Sequence, residues 1–160
     1  MLINKKALVS LFIVVGTVLL TLSLFLYFRS TEEKIDCTAT VKWIDYQKQK
    51  TFSGTIVFDL EPRDEGLISI NGILKDDSHN QTHHIRREIS VTSRLAKNSK
   101  MGINFKSVHK HISDTSPDHL FNKYLIDTSS QTTYLDFKKL YNAWLISTPY
   151  TAAILCVNTD

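Results

Sequence analysis

Only five of the 160 residues are glycine, and they are scattered. No glycine-rich loop is present to cradle a phosphate, and neither G-x-S-x-G nor H-E-x-x-H occurs. The usual signatures of nucleotide binding, serine hydrolysis and zinc proteolysis are therefore missing. An excess of one charge is lacking too. The formal charge of +3 comes from Lys5, Lys6 and Arg29 around one apolar run; with those set aside, the 19 basic residues fall to 16, equal to the 16 acidic ones. A neutral domain of this kind is not a nucleic-acid binder. A second long apolar run is also absent, which leaves no room for a channel or transporter within one chain.

The run that is present is Ala7–Phe28, which holds no charge. About 22 residues at 1.5 Å each span about 33 Å as a helix, enough to cross a hydrocarbon core of about 30 Å. Lys5 and Lys6 precede it, and Arg29 behind it is soon countered by Glu32 and Glu33. That bias favours a cytoplasmic N-terminus and an exported C-terminal domain. Tyr27 and Phe28 fit an interfacial aromatic anchor. A cleaved signal peptide would instead carry an apolar stretch of about 7–15 residues ending in small side chains. This run ends in Leu26-Tyr27-Phe28-Arg29, and Ile35-Asp36 before Cys37 is a poor context for lipid attachment. The expected organisation is a cytoplasmic N-terminus over 1–6, a transmembrane helix over 7–28, a linker over 29–36 and a β-rich domain over 37–160.

Cys37 and Cys156 are the two cysteines, at the extremes of that domain. In an oxidising compartment an even pair invites a disulfide. It would close a loop of about 120 residues, worth roughly 4–5 kcal/mol by chain entropy before strain reduces it. The alternative is two unrelated buried thiols. A bond would pin the first strand to the last.

Between the cysteines the periodicity is that of sheet. Cys37, Ala39, Val41 and Trp43 alternate with polar residues, as do Phe52, Gly54, Ile56, Phe58 and Leu60. Pro62–Gly66 reads as a turn, Leu67–Leu74 as a third strand and Asp76–Gln81 as another turn. Ile85, Arg87, Ile89, Val91 and Leu95 share a face of the fourth strand, with Arg87 and Ser93 interrupting its apolar character. Lys97–Lys100 turns into Met101, Ile103 and Phe105. Ser116-Pro117-Asp118 resembles a helix start with a Ser cap, and Leu120, Phe121, Tyr124 and Leu125 follow at helical spacing. Thr132–Leu140, Ala143–Ser147 and Ala152–Val157 read as strands, with Pro149 as a break. The expected fold is mainly β with one short helix after the transmembrane helix. Its antiparallel sheet is either strongly curled or closed into a small barrel.

Candidate site residues are few. His109 and His111 would share a strand face, but a metal site needs a third or fourth ligand, so they read as solvated polar-face histidines, with acid sensing as the lesser option. His83 and His84 would face opposite ways, and Arg86-Arg87 reads as a solvated pair. Trp43, Phe52, Phe58, Phe105 and Trp144 would line a ligand site in a curled sheet, or simply pack the core. Nothing here points to an enzyme, a cofactor or a bound metal.

Several residues carry a resemblance. An N-terminal anchor, a cysteine opening the first exported strand, Tyr134-Leu135-Asp136-Phe137 with Leu140 and Asn142, and Leu145-Ile146-Ser147-Thr148-Pro149 through Cys156 together resemble the FidL-like inner-membrane proteins of enteric Gram-negative bacteria. The resemblance implies a single-pass inner-membrane protein with a periplasmic domain and no catalytic residues. It further implies a companion of a membrane-bound ToxR-type transcription regulator, similar to ToxS-like partners. The function expected is an accessory protein that stabilises or modulates that regulator. The alternative is a periplasmic domain that senses a small apolar ligand, bile-acid-like in character, or pH.

Overall fold

The computed structural model describes the chain apart from residues 1–4, 31–33, 62–63, 96–99, 131, 149–150 and 160, and apart from the side chains of 5–10, 26–30, 95 and 151–152. It divides into two units, Met1–Glu33 and Lys34–Asp160. The first is a helix, α1 (Lys5–Ser30, 26 residues). Its leucine-rich, proline-free run propagates without interruption, and Thr17 and Thr21 return their hydroxyls to the carbonyls of Val14 and Val18 at 2.8 and 2.9 Å. The helix thus covers the expected 7–28. Among the described residues, however, no helix is long and apolar enough to cross a membrane. The described side chains of α1 run only from Leu11 to Phe25, short of the about 20 apolar residues that a span requires.

The second unit contains β1 (Ile35–Asp45), β2 (Lys50–Leu60), β3 (Glu65–Asp76), β4 (Gln81–Leu95), β5 (Lys100–Lys110), α2 (Asp118–Tyr124), β6 (Thr132–Leu140), β7 (Ala143–Thr148) and β8 (Thr151–Asn158). Each strand pairs antiparallel with its chain neighbour, and β1 meets β8, so the sheet is a closed barrel rather than an open curl. Every expected strand is present, and α2 lies within the expected helix. The turns expected at Pro62-Arg63 and Lys97-Asn98-Ser99, and the break at Pro149, lie outside the described residues.

Alternation decides which way each strand faces. On β2, Lys50, Phe52, Ile56, Phe58 and Leu60 are buried while their neighbours are not. Ile68, Ile70 and Leu74 of β3 and Ile85, Ile89 and Val91 of β4 complete that side of the core. Phe52 needs unusual room. Its ring lies over the paired Gly54 and Gly72, where a Cβ would stand 2.8 and 2.7 Å from ring carbons. Only bare backbone leaves space for that ring.

Three local expectations are corrected. Arg87 and Ser93 do not interrupt the buried face of β4; they are buried members of it, 3% and 1% exposed. Ser93 donates its hydroxyl to the Glu61 carbonyl and its N–H to the Asp64 carbonyl at 3.0 Å, fastening the chain between β2 and β3. Ser116 does not cap α2, whose N-cap is Pro117 with no side-chain hydrogen bond. Its hydroxyl goes instead to Asp114.

The barrel closes across a thin seam. β1 pairs with β2 along its whole length, but with β8 only at Cys37↔Asn158 and Thr38↔Val157. Cys37 and Cys156, 119 positions apart in sequence, form a disulfide across this seam, with Cα atoms 5.4 Å apart. Closing so long a loop in the unfolded chain is worth about 4–5 kcal/mol as an upper figure. Cys156→Ser is therefore expected to lower unfolding stability by about 2–4 kcal/mol, measured by denaturant unfolding of the oxidised proteins. A variant as stable as the parent would mean that the seam holds without the bond.

Candidate ligand cavity and its cap

The strands are unequal, and the inequality opens the barrel. β5 pairs with β6 only over Lys100–Asn104, then continues to Lys110 against β4 alone. Past Lys110 the chain doubles along the edge of β4: the His111 N–H donates to Arg86 at 3.0 Å and the Thr115 N–H to His84 at 2.9 Å. The gap left by the short strands β6–β8 is faced by α2 and residues 125–127. Inside lies a cavity of about 570 Å³. Trp43, Phe52, Phe58 and Phe105 line it, together with Ile56, Ile68, Ile103 and Ile146. Thr133, Ser147 and Thr148 add hydroxyls, and Lys42 and Asp127 add charge.

The cap is fastened to the wall by a buried charge. Arg87 donates from Nε to Asp114 at 3.0 Å and from its terminal nitrogen to the Ser116 carbonyl at 2.9 Å, and it pairs with Asp118 at 2.9 Å. Its guanidinium lies 4.2 Å from the centre of the Phe121 ring, which is fully buried. Burial alone would raise the Asp114 pKa. The Arg86 N–H, the Arg87 guanidinium and the Ser116 hydroxyl and N–H outweigh it and hold the carboxyl below its ordinary value. At the other end of α2, Tyr124 stacks on Trp43 with ring centres 5.8 Å apart. The Lys50 ammonium stands 5.7 Å from the same ring while paired with Asp76. That lysine, followed by Ser78, holds the Asp76 carboxyl well below the usual carboxylate range.

The candidates of the sequence separate here. Trp43, Phe58 and Phe105 meet at the cavity together with Phe52. Trp144 does not line it; it is buried beside the seam, paired across the strands with Cys156. His109 is exposed on β5 opposite Glu88, and His111 lies beyond the end of that strand with its Nδ1 2.8 Å from the Ser113 hydroxyl. The two histidines thus do not share a strand face, and neither reaches the cavity. Arg86 is exposed, but Arg87 is not part of a solvated pair. Among the described residues no group of His, Cys, Asp or Glu could hold a metal ion. Sequence reading passed over Arg87, Asp114, Tyr124, Leu125 and Ile126. The signal for the first was an arginine centred on an alternating apolar face.

An eight-stranded barrel has an interior that side chains just fill or that has room for one small molecule. The family described as FidL-like putative membrane protein matches residues 72–156, just over half of the 160-residue chain. The chain belongs to the FidL-like family. No curated protein matches it.

The charge network carries a pH dependence. The folded pKa of Asp114 is depressed, so its contribution is present above the unfolded value of about 4 and is lost as pH falls through the folded one. Arg87→Met takes from that buried carboxylate the nearer of its two cations, leaving Lys110 at 3.8 Å, at a cost of up to about 3 kcal/mol. Unfolding measured from pH 7 downward should show the variant destabilised at neutral pH, with a shallower acid loss than the parent. Equal stability at pH 7 would remove the network from the account of the cap.

Proposed function

We propose that this chain is a single-pass inner-membrane accessory protein whose periplasmic barrel binds a small apolar ligand and modulates a membrane-bound ToxR-type regulator. The observation that carries it is the cavity of about 570 Å³. A barrel of eight strands has an interior that side chains just fill or that holds one small ligand, and this interior is not filled. The uncharged run Ala7–Phe28 and membership of a family of membrane proteins support the anchor. The regulator rests on the resemblance to ToxS-like companions. Action is by association rather than by catalysis. Confining both partners to one membrane raises their effective concentration, so a weak periplasmic interface suffices. The cavity favours ligand sensing over acid sensing by His109 and His111, which stand outside it.

Reporters fused after Asp160 test the topology. A reporter active only in the periplasm should work there, and activity of a cytoplasmic reporter alone would reverse the orientation. Deleting the gene should lower the abundance of a membrane-bound regulator or change its target transcripts. If neither moves under acid, bile or low-magnesium conditions, and crosslinking captures no membrane partner, the accessory role fails.

A further inference from the structure

Every residue lining the cavity sits on a strand except Leu125, Ile126 and Asp127. Strand residues are held by the ladder on at least one side, so moving them breaks backbone hydrogen bonds. The three exceptions are not held in that way. Among the described residues, the backbone of Asp118–Asp127 makes no backbone hydrogen bond to a barrel strand; its bonds close α2 on itself, from Leu120 and Phe121 to Pro117 and from Leu125 to Phe121.

The two ends of this segment are secured differently. At the Asp114–Phe121 end the attachment is buried and ionic: Arg87 holds Asp114, Ser116 and Asp118, and Phe121 is fully buried beneath its guanidinium. Towards the cavity, burial declines. Tyr124, Leu125 and Ile126 are half-buried; there Tyr124 stacks on Trp43, with the Lys48 and Lys50 ammoniums 5.8 and 5.7 Å from the same ring. Trp43 lines the cavity and Tyr124 does not. Trp43 thus belongs both to the cavity lining and to the contact with the cap.

We infer that Pro117–Asp127 is a gate on the cavity, hinged at the Arg87 attachment and latched by Tyr124 on Trp43. The inference rests on the ligand-binding reading above. Separating the ring pair swings Leu125, Ile126 and Asp127 away from the cavity without disturbing a strand. Ligand uptake is then controlled at Tyr124, a residue that does not touch the ligand.

The test uses the full chain in lipid nanodiscs and the neutral fluorophore N-phenyl-1-naphthylamine, followed by energy transfer from tryptophan in stopped flow. Tyr124→Ala should take up and release the probe about five-fold faster than the parent, since a stacked pair is worth about that factor in rate. Affinity should stay within about two-fold, because both rates change together. Tyr124→Phe keeps the ring and should behave as the parent does. Hydrogen exchange provides a readout that needs no probe: amides of 124–127 should exchange faster than those of 114–117, and Tyr124→Ala should raise the former alone. A parent that binds the probe while Tyr124→Ala, folded by circular dichroism, takes it up at the same rate overturns the gate and leaves the ligand reading intact. A parent that binds no probe overturns both. Uniform protection from 114 to 127 overturns the hinge.

Discussion

The barrel depends on closing a seam that backbone hydrogen bonds barely cover. Two register pairs join β1 to β8, and the Thr159 N–H donates to the Asp36 carbonyl at 3.4 Å beside them. A closed sheet removes the exposed edges that invite mispairing, but only if the seam holds. The Cys37–Cys156 bond starts at one of those paired residues, Cys37, and adds a covalent link to the short ladder. The Thr159 hydroxyl on the Asp36 carboxylate at 2.5 Å continues the same joint.

The barrel also tolerates polar groups inside. Lys50 and Asp76 are paired across β2 and β3 and almost fully buried. Arg87 and Asp114 form the second such pair, on the β4 side. In each case the cation and carboxylate face an aromatic ring of α2: Tyr124 near Lys50 and Phe121 near Arg87. The cap therefore covers the charges as well as part of the cavity. A buried ion pair adds little net stability over an apolar pair, but it tolerates few alternative arrangements. Its use here is to fix where the cap starts.

The strands were legible because half-buried strands write their two faces into alternate positions, and β2 and β4 do so almost without exception. The disulfide was legible because two cysteines at the extremes of a domain expected to be exported have few other roles. Closure was not. The register that joins β1 to β8 is a relation between residues 119 apart, and no local pattern encodes it. Arg87 was visible as an anomaly, but its partners lie 27 or more positions away and are brought to it only by the chain doubling along β4. Ser116 shows how a local rule misleads. The residues around it match a helix cap, yet the buried Asp114 claims its hydroxyl first. Of the aromatics, strand parity placed Trp43, Phe58 and Phe105 inside; it also placed Trp144 inside, and only the tertiary path of β7 sends that ring to the seam.

The neighbour-to-neighbour order of the strands has a consequence for biosynthesis. Hairpins that pair adjacent segments form as soon as both halves are available, because the loop to be closed is short. β1 through β5 can zip in sequence while later strands are still being made. The seam cannot: Cys37 waits for β8 before it has a partner. The bond that closes the barrel thus belongs to the last step of assembly, after every hairpin between neighbouring strands can have formed.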